Sequence, residues 1–239
     1  MMIVEFRNIS DSIFKNMKKN SFVFMLPLLF LLSGCFDIVE QIDLKSDGSG
    51  TFKAVLNLSK SKTKIGSLEK MKMVNGRKVP SRAEIKSKLE EVKAIIAKTS
   101  GISKVETSID FTNYIATVTC NFTQVEKLNE AIHNVYKHDQ PKAAKPDDTY
   151  AYNRASQLFS RLHLFPIKKE YEKLSSADRE VFTGAFYTAI FKFDKTVASS
   201  SNQDAQTSPS KKAVMLKLNA LDIINGKKSM ANKIKLNLK

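Results

Sequence analysis

The sequence is poor in the residues from which cross-links and active sites are usually built. It has two cysteines in 239 residues, Cys35 and Cys120. No disulfide network can therefore hold it, and a chain of this length can bury enough core without one. It has three histidines, His133, His138 and His163, and none stands in HExxH or another metal-ligand spacing. His133 and His138 fall near the end of one expected helix, where Glu130 or Asp139 would have to supply the carboxylate of a metal site. Solvated helix-end histidines are the simpler reading. There is no GxSxG elbow, and the serines fall in caps and loops. There is no phosphate-binding glycine loop. Asp47-Gly48-Ser49-Gly50 lacks the ligand series of a calcium loop and reads as a plain turn. The expectation is therefore no catalytic residue, no metal site and no cofactor.

Apolar runs long enough to cross a bilayer are also missing. Residues 22–32 (FVFMLPLLFLL) are eleven in number. As a helix they would rise ~16 Å, against a hydrocarbon core of ~30 Å. Lys18, Lys19 and Asn20 precede the run, and Leu32-Ser33-Gly34-Cys35 closes it. A basic flank, a short apolar stretch and small residues make up an export signal. Met17-Lys18-Lys19 is the more ordinary start for such a segment; the alternative is a longer leader from Met1, with Glu5 and Asp11 tolerated in it.

Leu32-Ser33-Gly34-Cys35 resembles the lipobox of bacterial lipoproteins. The resemblance implies diacylglycerol on the Cys35 thiol, cleavage between Gly34 and Cys35, and acylation of the new amino group. Several acyl chains hold a protein stably where one holds it marginally. With Cys35 so used, Cys120 has no partner in the chain. Cys120 falls in an alternating strand pattern and reads as a small buried apolar residue, with a reactive thiol as the alternative.

Cleavage there leaves 205 residues with 35 basic and 22 acidic side chains, a net charge of about +13. Such an excess favours anionic surfaces, phospholipid headgroups or acidic glycans among them. Nucleic acid is not an expected partner of an exported, anchored domain. The lysines are spread along the chain with no block of five or more, which reads as a solvated basic surface.

Two β-hairpins stand out. Residues 38–44 alternate with Ile38, Ile42 and Leu44 on one face, residues 51–58 with Phe52, Ala54, Leu56 and Leu58, and the Asp47–Gly50 segment supplies the turn. Residues 102–109 and 114–122 form the second pair, with Tyr114, Ala116, Val118, Cys120 and Phe122 on one face. Between the hairpins, residues 62–73 have helical spacing up to a break at Asn75-Gly76. Ser81-Arg82-Ala83-Glu84 is a capping box opening a helix with Ile85, Leu89, Val92 and Ile96 in one stripe and Gly101 as its C-cap. Thr123-Gln124-Val125-Glu126 reads as a second capping box, with Val125, Leu128, Ile132 and Val135 facing inward.

Residues 138–149 are polar with two prolines and read as a linker. Beyond them, residues 157–164 fit a strand, with a helix nearly as well supported, and residues 166–183 contain helical stretches. Residues 186–193 are a strand with aromatics on both faces. That pattern suggests a strand covered on both sides, or one whose aromatic face lines a groove for a lipid or glycan chain. Residues 199–210 read as a mobile polar loop; residues 213–218 and 234–238 read as the last strands.

The expected fold is α+β: an antiparallel sheet of β-hairpins, amphipathic helices on one face, and a β-rich C-terminal part. The expected division is a signal segment 1–34, an α+β domain 35–137, a linker 138–149 and a β-rich domain or subdomain 150–239. Cys35, the run Ile42-Asp43-Leu44-Lys45-Ser46-Asp47-Gly48-Ser49-Gly50 and Val79-Pro80-Ser81 make the chain similar to uncharacterised bacterial lipoproteins, especially those of Bacteroidetes. The strand 186–193, polar segment and strand 213–218 resemble LppM-like lipoprotein domains. These resemblances imply a fold and an anchor, and carry no catalytic residue. The leading expectation is a non-catalytic envelope lipoprotein, in the outer membrane where the host has one, that binds or scaffolds at the membrane surface. An envelope enzyme acting on lipid or polymer, or a subunit partnering other proteins in an envelope machine, are the alternatives.

Overall fold

The computed structural model describes residues 36–74, 77–142, 144–162 and 168–238. The expected signal segment, with Gly34 and Cys35, and His163 lie outside the described residues. So do Asn75 and Gly76.

The first hairpin forms as its alternation requires. Strands β1 (Asp37–Leu44) and β2 (Gly50–Asn57) pair antiparallel, Ile42 opposite Phe52. In the turn the Asp47 carboxylate accepts from Ser49 N at 2.9 Å and Ser49 Oγ at 2.7 Å. Gly50 is required here because a Cβ would lie 2.2 Å from Asp43 O and 2.7 Å from the Phe122 ring.

A 3-10 turn (Ser59–Ser61) leads into helix α1 (Lys62–Leu68), which stops short of the expected residue 73. Strands β3 (Met73–Val74) and β4 (Arg77–Lys78) then form a small antiparallel ribbon. Helix α2 (Arg82–Ala97) begins on the expected capping box: Ser81 Oγ accepts from Glu84 N at 3.2 Å, and Ser81 N donates to Glu84 at 2.7 Å. Strands β5 (Ile102–Asp110) and β6 (Ile115–Phe122) make the second hairpin, and helix α3 (Val125–Asp139) follows.

The chain continues through β7 (Tyr150–Asn153), β8 (Leu158–Arg161), the short helices α4 (Lys168–Glu172) and α5 (Ser176–Glu180), and β9 (Phe186–Phe193). It ends with β10 (Val197–Ser200), β11 (Ala205–Thr207), β12 (Ala213–Asn219), α6 (Ala220–Ile224) and β13 (Asn232–Leu236).

A seven-stranded sheet runs β11-β12-β9-β1-β2-β6-β5, beside a four-stranded sheet β10-β13-β8-β7. The large sheet is antiparallel except at its centre. There β1 and β9 pair parallel, from Asp37 opposite Phe186 to Leu44 opposite Phe193. Strands from either side of residues 138–149 thus complete one sheet.

One face of that sheet is the core face. Ile42, Leu44, Phe191, Val214 and Leu216 are buried on it, together with Val125 and Leu128 of α3 and Phe159 and Ile234 of the smaller sheet. Phe159 stands 5.0 Å from the Phe191 ring and 5.8 Å from Phe193. Helices and smaller sheet therefore cover the same side, and the fold is α+β as expected. The other side, with Lys53, Lys192 and Met215, faces solvent. The buried residues of both core clusters span Phe36 to Leu236, so the chain from that point on holds its own core.

Three local expectations need correction. Helix α2 ends at Ala97, and Gly101 (φ +82°) lies beyond the cap, in the turn that starts β5, where Ile102 N donates to Thr99 O. The second capping box does not form. Thr123 N donates to Gly101 O at 2.9 Å, which keeps Thr123 in register with the sheet, so the helix begins one residue later with Gln124 as an N-cap without a side-chain bond. Residues 199–210 are not an unstructured loop but carry the end of β10 and all of β11. Several of their polar groups are bonded internally: Asn232 Oδ1 accepts from Ser200 Oγ and from Asn202 N at 3.0 Å, and Asn202 donates to the carbonyls of Ser229 and Ala231 at 2.8 Å.

Candidate functional site

The end of the large sheet where β1 starts gathers the features that bear on the expected anchor. Phe36, the first described residue, is 7% exposed. Its ring meets Phe182 edge-on at 5.3 Å, and its carbonyl accepts from Phe186 N at 3.1 Å. Phe182, Ala185 and Ile224 complete a small second core, with Tyr171 and Leu221 packed against it. The short helices before β9 and after β12 thus close this end of the sheet around the chain's point of entry.

Residues 59–74 and 77–82 sit at the same end, because β2 leaves the sheet where β1 enters it, Asn57 opposite Asp37. One carboxylate ties them down. Glu69 accepts from Tyr114 Oη at 2.9 Å, and Arg82 grips both its oxygens at 3.0 and 2.8 Å. Tyr114 belongs to the β5–β6 turn, whose Phe111 ring lies 5.0 Å under the Arg82 guanidinium. The Arg82 bonds, helped by Tyr114, hold the Glu69 carboxyl below the usual carboxylate range. Lys60 pairs with Asp37 at 3.0 Å, and Lys60 and Lys217 stand over the Phe186 ring at 5.5 and 4.8 Å.

A second polar feature lies inside the core. Arg161 of β8 reaches Glu40 of β1 at 3.2 Å, with its guanidinium over the rings of Tyr150 and Tyr187. Burial opposes the arginine's charge, but the Glu40 carboxylate together with Tyr187 and Tyr150 outweighs it, and the pKa is raised. Burial and the same carboxylate push both tyrosines well above their ordinary value. Nothing in the sequence around Arg161 singles it out; only the pairing of the two sheets brings it to Glu40.

His133 and His138 do not converge. His133 Nε2 faces Asp147 O at 3.4 Å and Asp148 at 3.5 Å, whereas His138 bonds Glu91 of α2. Glu130 is taken by Lys127 at 2.8 Å, and Asp139 lies 3.7 Å from Lys88. Among the described residues no group of three or more His, Cys, Asp or Glu side chains is placed to hold a metal. Cys120 is buried, and burial pushes its thiol up to about 11. The aromatic strand is fully covered on one face only, where its sequence pattern suggests cover on both or a groove along an aromatic face. Tyr187 and Phe191 are packed into the core, Phe193 alone of these borders an open pocket lined mostly by polar residues such as Asp43, Ser49 and Asp194, and Phe186, Thr188 and Ile190 on the other face are half-buried. No described helix is long and apolar enough to cross a membrane.

No family model matches the chain, and no curated protein matches its sequence. Among solved structures, the NMR structure of the folded domain of Mycobacterium tuberculosis LppM is similar at 10% identity, over 93% of this chain and 95% of that one, with a TM-score of 0.44. A likeness of that size does not establish a shared fold or role.

Proposed function

We propose that the chain is a non-catalytic lipoprotein of the bacterial cell envelope, held on a membrane by lipid on Cys35, with a folded body that binds or scaffolds at the membrane surface. The supporting observation is the spacing between anchor and body. The lipobox cysteine is followed at once by Phe36, which is buried in the fold. Consecutive Cα atoms are ~3.8 Å apart, so lipid on Cys35 would be joined to the body with no leash. A body so held works at the bilayer surface rather than at a distance from it. Where the host has an outer membrane, that is the membrane we assign.

The test is metabolic labelling with a fatty-acid analogue. The native protein takes the label; Cys35→Ser does not, and accumulates as an uncleaved or soluble form. Label retained on the variant would overturn the assignment of the anchor.

A further inference from the structure

Resting on that reading, we infer that residues 59–74 and 77–82 form the surface by which the protein lies against an anionic bilayer, lysines on the headgroups and Met71 and Met73 at the interface. Three observations converge. The first is position: these residues lie at the end of the sheet that carries Phe36, next to the lipid-bearing cysteine.

The second is charge. Residues 59–82 hold eight basic side chains and one acidic, Glu69, whereas the other 181 residues from Cys35 onward hold 27 and 21. More than half of the net charge of about +13 therefore sits in 24 residues. No run of five marks the concentration, because Ser, Thr, Met and other residues interleave the lysines. The carboxylates of this region are already engaged: Glu69 by Arg82, Asp37 by Lys60, and Glu84 by Lys78. Lys62, Lys64, Lys70 and Lys72 have no ion-pair partner among the described residues.

The third is the pair of methionines. Met71 is 48% exposed and Met73 56%. They alternate with Lys70 and Lys72 on the approach to and in the ribbon, and a flexible apolar side chain flanked by cations suits a headgroup boundary. A purely electrostatic surface for a soluble polyanion would have no use for them. Screening acts over ~8 Å at physiological salt, so only cations close to the headgroups contribute, each raising partition by about fivefold.

The test uses the processed chain carrying Cys35→Ser, so that its result does not depend on lipidation, which the labelling experiment tests separately. Partition is measured into phosphatidylcholine vesicles with and without a quarter phosphatidylglycerol, over a salt series. We expect binding that needs the anionic lipid and weakens with salt. Lys70→Gln with Lys72→Gln should lower it on the order of 20-fold, and Met71→Ser with Met73→Ser several-fold. Lys211→Gln with Lys212→Gln, at the start of β12 on the opposite end of the sheet, should leave it within twofold. Equal binding to both vesicle types, or a loss as large from the residue 211 and 212 changes, overturns the proposal. Methionine changes without effect would also overturn it, in favour of a soluble polyanion or a protein partner.

Discussion

Arg161 Nε lies 3.2 Å from Glu40 Oε1, with the arginine side chain 1% exposed, and this ion pair joins the smaller sheet to the centre of the larger one. A buried pair of this kind is a weak source of net stability, because desolvation offsets the attraction, but removing one partner strands a charge. Arg161→Met should therefore cost on the order of 3–5 kcal/mol. Adding Glu40→Leu should recover most of that loss, since a packed apolar pair of similar volume is often neutral or better. Urea denaturation of the two variants decides it: a double variant as unstable as the single one would mean the cost is packing, not charge.

Glu69 should make stability pH-dependent. Its carboxyl titrates below the ordinary 4.5 in the folded protein, chiefly through Arg82 and also through Tyr114. A depressed folded value means that its contribution is complete above the unfolded value and fades as the pH falls through the folded one. Glu69→Gln should cost about 1 kcal/mol at pH 7, a modest figure because the pair is partly exposed to solvent. The gap between native and variant should narrow steadily from pH 5 downward. Denaturation curves at three pH values measure it; a gap unchanged at low pH would assign the effect to the Tyr114 hydrogen bond alone.

Cys120 should be inert in the folded protein. It is 3% exposed and its thiol is pushed up to about 11, so at pH 8 almost none is thiolate. A thiol reagent should modify the processed Cys35→Ser chain only at the rate of its unfolding, and readily in denaturant. Fast labelling of the native chain would mean that the β6 strand is open where it is described as packed.

Both hairpins and the Ser81 cap were legible because their determinants are local. Alternation, an Asp-Gly turn and a Ser three residues before a Glu act within a few residues of one another. Thr123 shows where local reading fails: it has the cap sequence, but its backbone is claimed by Gly101, which the chain brings alongside only after the second hairpin forms. The pairing of β1 with β9 lies further out of reach. Parallel neighbours need no turn between them and leave no mark at either strand, so residues 150–239 read as a separate part while β9 completes the sheet. Arg161 in a strand gives no hint of Glu40, more than a hundred residues earlier. The charge of residues 59–82 was readable in principle, but a search for unbroken lysine blocks passes over an interleaved cluster.

Polar composition was the most misleading signal, and residues 199–210 give the sharpest test of why. Ser200, Ser201 and Asn202 would favour solvent if unpartnered. They are instead bonded to Asn232, which is buried at the start of β13. Only the Asn232 Oδ1 is engaged, its buried Nδ2 having no partner among the described residues, so the network's contribution rests on that one shared acceptor. Asn232→Ala removes the shared acceptor and leaves the Asn202 amide and the Ser200 hydroxyl without it. The cost should be about 1–3 kcal/mol, concentrated in this segment and the β10–β13 pairing beside it. Limited proteolysis reads this out directly. The native protein should resist cleavage between residues 199 and 210, and the variant should be cut there before the large sheet unfolds. Rapid cleavage of the native chain in the segment would restore the mobile loop that its composition suggests. A variant that resists as well as the native protein would show that β10 and β11 are held by backbone pairing alone.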